Sequence, residues 1–250
     1  MQWQNAKNRS IPQSGLADYP RAFTVLTDQV HLDLQSWMTE AYQVLQEVYL
    51  LLDMPTESMR ALQTKRKLKE AMKNHLYDAS LNRYADYVGD VHGLKQPKEF
   101  NFDVHTGILN LFPAMLGHLP NDEQVQGSLE ILLSDSMVSK FGVRSLSRYD
   151  VEYHEGGNQQ HGNVWIVANY LAVRGIDRHL TSFNGKSGTR LQVADASDAI
   201  KDGIIHAGYG TWLDNGFLTD TFDDTTGEGT VARRKFASNA ALILLVVSGT

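Results

Sequence analysis

Apolar residues return at steps of three and four along "VHLDLQSWMTEAYQVLQEVYLLLD" (30–53), where Leu34, Trp37, Ala41, Leu45, Val48 and Leu52 form one wide helical stripe. A chain with such a segment must build helices and bury that stripe against others. The rhythm recurs, and strand signals are scarce. A second helix starts at Thr56-Glu57 and runs to about His75. A third covers about 103–118, where Pro113 must kink or restart it. A fourth follows Pro120-Asn121-Asp122 and reaches about Ser134. Helices are also predicted over 163–180 and about 190–212, and "RKFASNAALILLVV" (234–247) reads as a last helix buried on most sides. Short linkers within helix pairs 1–2, 3–4 and 5–6 predict antiparallel hairpins. The fold class is all-α. The long connections 78–102, 135–162 and 213–234 should gather at one end as the working face.

Composition narrows the class of function. At 250 residues and 42% hydrophobic, the chain can bury a sizeable core, and 21% charged residues with no biased tract mark it as globular. A formal net charge of −6 argues against nucleic acid as the main partner. The one basic run, "TKRKLKEAMK" (64–73), reads as a solvated helix face. The absence of cysteine excludes disulfides, zinc fingers and thiol catalysis. Nine histidines show no zinc spacing, so metal and other cofactors are not expected, and His154 and His161 read as loop or core residues. The first twenty residues lack the apolar segment of a signal peptide. "AALILLVV" is far shorter than the ~20 residues that span a bilayer, so no membrane segment is expected. Asn8-Arg9-Ser10 is a formal glycosylation sequon.

Three loops carry the residue types that handle sugars. "SGLADYPRA" (14–22) offers a turn, the Tyr19 ring and the Arg21 donors. "EYHEGGNQQHGNVW" (152–165) is a glycine-rich loop leading to Trp165, which with Trp37 reads as core on an apolar helical face. "TDTFDDTTGEG" (219–229) packs Asp220, Asp223, Asp224 and Glu228 around Phe222, without the ligand spacing of a calcium loop. Such an acidic stretch reads equally as a solvated turn. Paired carboxyl groups hydrolyse a glycosidic bond when one protonates the leaving oxygen and the other activates water or attacks carbon.

"SGLADYPRA", "HLDLQSW" (31–37), "TGILNLFPAML" (106–116), "FGVRSL" (141–146), "GNVWIVANYLAV" (162–173), "GFLTDTFDDTTGEG" (216–229) and "KFASNAALILLV" (235–246) stand in the order found in glycoside hydrolase family 63, which the chain resembles from about residue 12 to 248. The resemblance implies an (α/α)6 toroid, six hairpins around a pocket, present here only as its C-terminal half or so in one partial domain, 1–250. It also implies an inverting, exo-acting α-glycosidase of the N-glycan-processing kind. Such an enzyme removes terminal α-1,2-linked glucose from an oligosaccharide in the endoplasmic reticulum lumen. The family pattern reads SGLDDYPRA with its first Asp as general acid, and that position is Ala17 here. Asp18 matches the second acidic position, and the base position falls on Asp220. The resemblance makes Tyr19, Arg21, Arg144, His161 and Trp165 the candidates for lining the sugar pocket. Ala17, with Gln159-Gln160-His161-Gly162 in place of the family's YWRG, keeps two further expectations open. One is an inactive relative that binds glycans or proteins; the other is a fragment without a closed pocket.

Overall fold

Helices dominate the computed structural model, which describes residues 14–16, 18–23, 29–88, 102–119, 122–157, 159–182, 187–230 and 242–248. Among them, α1 (Leu32–Leu51), α2 (Pro55–His75), α3 (Ile108–Met115), α4 (Asp122–Leu132), α5 (Ile166–Ser182), α6 (Ser187–Asn215) and α7 (Leu242–Ser248) follow in order. Pro55 opens α2, where its fixed φ suits a helix and its missing N–H has no partner to lose. The expected hairpins form as α1/α2, α3/α4 and α5/α6. Helices α1, α3, α5 and α7 touch in sequence as one row, with α2, α4 and α6 backing it. This is the all-α class, laid out as an arc of an (α/α)6 toroid.

The long connections are more regular than expected. They hold two-residue antiparallel ladders, too short to leave an alternating pattern in the sequence: β1 (Gln29–Val30) with β4 (Tyr87–Val88), β2 (Tyr77–Asp78) with β3 (Arg83–Tyr84), β5 (Val138–Ser139) with β6 (Gly142–Val143), and β7 (Val164–Trp165) with β8 (Thr221–Phe222). Bridges from Arg144 to Val164 and from Gly107 to Leu146 tie neighbouring ladders together.

Two expectations about helices change. Residues 102–107 are not helical, because Gly107 donates its N–H to the Asn110 side chain at 2.8 Å and starts α3 there. Pro113 sits inside α3 without dividing it; the helix ends two residues later, and Gly117 reverses the chain at φ +73°. On α1 the period is as read but the direction is reversed. The buried face is Leu32, Asp33, Gln35, Ser36 and Thr39, whereas Trp37, Leu45 and Val48 are 37–40% exposed and Leu52 is 62% exposed. Periodicity tells which residues share a face, not which face meets a neighbour. Trp37 meets the Phe112 ring edge-on, at 6.0 Å between ring centres.

The main core runs between α3, α4, α5 and α6 and takes in Leu16, Tyr19 and Phe222 from the loops. A smaller one, Leu32, Met72, Leu76, Tyr84 and Tyr87, lies under α1 and α2. Each large side chain so buried is worth about 1.5–3 kcal/mol. Of the closing apolar helix, Ile243 and Val246 are buried and Leu245 is 39% exposed; residues 234–241 lie outside the described ones.

Candidate functional site

The ladder β7/β8 builds the site's floor. It pairs Val164 with Phe222 and Trp165 with Thr221, and the Ile166 N–H then donates to the Asp220 carbonyl at 3.0 Å. Asp220 is therefore held by main chain beside the start of α5. Its carboxylate oxygen Oδ1 is buried and has no hydrogen-bond partner among the described residues. The half-buried Trp165 indole reaches Gly15, where a Cβ would lie 3.9 Å from the ring edge.

The loop 14–18 is tied to the other two. Gln160 Nε2 donates to the Gly15 carbonyl at 2.7 Å and its Oε1 accepts the Asp18 N–H at 3.4 Å. The Gln159 N–H donates to Asp18 Oδ2 at 2.8 Å, and no described residue bonds the other oxygen. The three stretches that stood out in the sequence thus meet. Ala17 itself lies outside the described residues.

The other candidates are more deeply placed than a sugar-facing role suggests. Tyr19 is fully buried, and its hydroxyl has no partner among the described residues. Burial, then the Asp103 and Asp150 charges, push its pKa well up, so it stays a neutral phenol. A Cβ on Gly107 would collide with that hydroxyl and with the Ser145 carbonyl, so only glycine fits there. Arg21 is 2% exposed and spends NH1 and NH2 on both oxygens of Asp33 (2.9 and 2.6 Å) and on Asp86 (2.7 Å), which also accepts the Leu32 N–H. Arg21 therefore anchors loop 14–22 to the first turn of α1. His161 is 1% exposed, with Nδ1 2.8 Å from the Glu152 carbonyl oxygen. Gly162, beside it, turns at φ +127°, and any Cβ there would enter the Tyr153 ring.

Arg144 joins a cluster that spacing could not reveal. Its Nε donates to Asp224 Oδ2 at 2.5 Å and its NH1 to the Val138 carbonyl at 2.5 Å. The buried Asp224 also accepts the Tyr153 hydroxyl at 2.7 Å and meets His154 Nε2 at 2.7 Å. Burial, then the bond to Asp224, push the Tyr153 phenol up to about 12. These partners lie 70 to 80 residues apart in the chain, so no local motif announces them. A second pair, His105 Nδ1 with Asp150 at 3.0 Å, closes the neighbouring loop. No group of three or more His, Asp or Glu suited to a metal ion occurs among the described residues.

The arrangement offers a half-buried carboxylate, one of whose oxygens is buried without a partner among the described residues, at the end of the ladder that carries Trp165, and a second carboxylate on the loop that Trp165 reaches. A carboxylate so placed can accept a proton from water, and the indole can carry the apolar face of a sugar ring. Residues 2–249 match the profile of the glycosyl hydrolase family 63 C-terminal domain. The chain belongs to glycoside hydrolase family 63. A probable mannosyl-oligosaccharide glucosidase of Schizosaccharomyces pombe is 27% identical over 98% of the chain but only 30% of its own length. The mannosyl-oligosaccharide glucosidase of Saccharomyces cerevisiae is 22% identical over 94% of the chain and 28% of its own length. The family 63 chain thus spans under a third of these curated relatives. Among solved structures, a family 63 mannosylglycerate hydrolase from Thermus thermophilus aligns with TM-score 0.60 and 17% identity, covering 88% of the chain and 48% of that protein. A neutral trehalase of Saccharomyces cerevisiae aligns with TM-score 0.67 and 14% identity, over 92% of the chain and 39% of its own. At these identities the structural likeness speaks for the fold alone. No described helix is long and apolar enough to cross a membrane.

Proposed function

We propose that this site belongs to an α-glucosidase of the N-glycan-processing kind, which removes terminal α-1,2-linked glucose with inversion. The observation that carries the reading is Asp220, held at the end of the ladder that pairs Trp165 with Thr221, with one buried oxygen that no described residue bonds. Asp220 is the base that activates the attacking water. An inverting enzyme needs the second carboxyl roughly 6.5–9.5 Å away, leaving room for that water. The position where the family resemblance puts the acid is Ala17, so protonation of the leaving oxygen falls to Asp18 through the oxygen that Gln159 leaves open. Trp165 lies under the sugar, with His161 and Arg144 shaping the wall behind it. Tyr19 and Arg21 hold the loop in place from below. The glucosylated N-glycan as substrate, and the endoplasmic reticulum lumen as the place, belong to this same reading.

A second reading is favoured by one observation, the Asp18 carboxylate already bonded to the Gln159 N–H with alanine beside it. On that reading the site binds glycan without cleaving it. Glucose release from an α-1,2-linked gluco-oligosaccharide decides between them, with Ala17→Asp and Asp220→Asn assayed alongside. The enzyme reading expects release by the unmodified chain, a rise in Ala17→Asp, and a loss of about 10²–10⁴-fold in Asp220→Asn. Silence from the unmodified chain and from Ala17→Asp, with retained glycan binding, rejects hydrolysis and leaves the binding module.

A further inference from the structure

The basic run 64–73 splits between two faces of α2. Arg66, Lys67 and Lys73 are exposed, as a solvated face should be, but Lys65 and Lys69 are half-buried. They face a recess of about 390 Å³ between α1, α2, the turn after α3, and Arg178 on α5. This volume lies in the range of small-molecule sites. The sugar site stands by the starts of α1, α3 and α5; the recess stands along the later half of α1, past the end of α3 and by Arg178 in α5. Along α5 alone, Arg178 is about 18 Å beyond Ile166 at 1.5 Å per residue.

The charges in the recess are unevenly matched. Of its two acids, Glu40 is shared between Arg178 (3.6 Å) and His118 (3.4 Å), and Glu47 accepts the Gln43 amide. Lys65 rests on the Gln43 carbonyl oxygen. Lys69 has neither an acid nor a hydrogen-bond acceptor among the described residues, and its near charged neighbour is Lys65, one turn away. Burial and then Lys65 lower the pKa of Lys69. His118 adds no charge at neutral pH. Burial and then Lys69, Lys65 and Arg178 push it down to about 3, outweighing Glu40 beside it. Two ammonium groups at helical i, i+4 spacing and one half-exposed guanidinium, which also donates to the Leu116 carbonyl at 3.1 Å, therefore line a cavity with two acids, leaving the cations in excess by one.

We propose that this recess is a second binding site, on the opposite face of the arc from the sugar site, for a phosphate monoester of sugar size. The two lysines supply point charges to a dianion, and the Arg178 fork supplies directional donors to its oxygens. The rest of the cavity takes the esterified group against Val44, Leu116 and the Gln43 side chain. A dianion also removes the repulsion between Lys65 and Lys69.

Calorimetric titration of the intact chain at low salt tests this, with inorganic phosphate, glucose 6-phosphate and glucose as probes. The expected result is saturable binding of glucose 6-phosphate, tighter than phosphate alone, and none of glucose at this site. Lys69→Met weakens it at least tenfold, whereas Lys67→Met and Asp220→Asn leave it unchanged. Lys69→Gln serves as a second variant, and a phosphate-dependent rise in the unmodified chain's Tm reads the same site without any variant. Absence of saturable binding overturns the site. So does equal weakening by Lys67→Met, which would mean general charge attraction. Loss in Asp220→Asn would place the anion in the sugar site instead, and equal affinity for phosphate and ester would overturn the ester.

Discussion

Asp33 stands in the first turn of α1 and Asp220 beside the start of α5, two helices of the same row with α3 between them, and their surroundings are opposite. Asp33 is fully buried, and both of its oxygens accept hydrogen bonds from Arg21. Asp220 keeps a buried oxygen to which no described residue donates. A carboxylate whose lone pairs are all matched within the fold works for the fold. One left without a partner adds nothing to the fold through that oxygen, and on the proposed function it takes the proton from water. The same contrast divides the guanidinium groups: Arg21 is locked between two aspartates, whereas Arg144 shares Asp224 with a histidine that is 40% exposed.

The contrast breaks or sharpens under substitution. The largest loss of stability is expected from Arg21→Met, which strands Asp33 and Asp86 as buried charges and should cost about 3–5 kcal/mol in urea unfolding. Less than about 1 kcal/mol would mean that the cluster is no anchor. Next comes Asp224→Asn, at about 1.5–3 kcal/mol for weakened charge-assisted bonds. It should also bring the Tyr153 phenol down from about 12, visible in an alkaline absorbance titration. Acid should act through His118. The unfolded imidazole takes up a proton near pH 6.5 and the buried one only near 3, so the unfolded state binds more protons between these values. This group's share of stability is therefore complete above 6.5 and drains as pH falls toward 3, and His118→Gln should flatten that part of a stability–pH curve. Smallest of all is Asp220→Asn, expected within about 1 kcal/mol of the unmodified chain because no described residue donates a hydrogen bond to its buried oxygen. A penalty as large as that of Arg21→Met would erase the distinction between the two carboxylates.

Much of the fold was legible because helical period survives in any context: α1, α2, α5 and α6 fall close to where apolar spacing and cap residues put them. The start of α3 was not, since it depends on Asn110 reaching both the Gly107 N–H and the Tyr84 carbonyl, 26 residues away. Nor was the outward turn of the α1 stripe, since a single sequence does not say which side of a helix has a neighbour. The loops that matter were legible as loops, and their meeting point followed from their positions before the inner helices. The roles inside them were harder to read. Tyr19 and Arg21 look like sugar-binding types, yet burial and the distant Asp86 give them structural duties. The Asp224 cluster draws together two connections, the one between α4 and α5 and the one after α6, a closure that only the folded chain displays.

The ladder beneath Asp220 has a consequence for how such a chain changes over generations. Val164, Trp165, Thr221 and Phe222 are joined through peptide groups, and every non-proline residue carries the same peptide groups. Replacing the side chain at 220, or the one at 17, leaves those joints untouched. On the proposed function, folding and chemistry are thereby uncoupled at these two positions. A lineage built this way can trade cleavage for recognition, and return, one codon at a time, with its scaffold standing throughout.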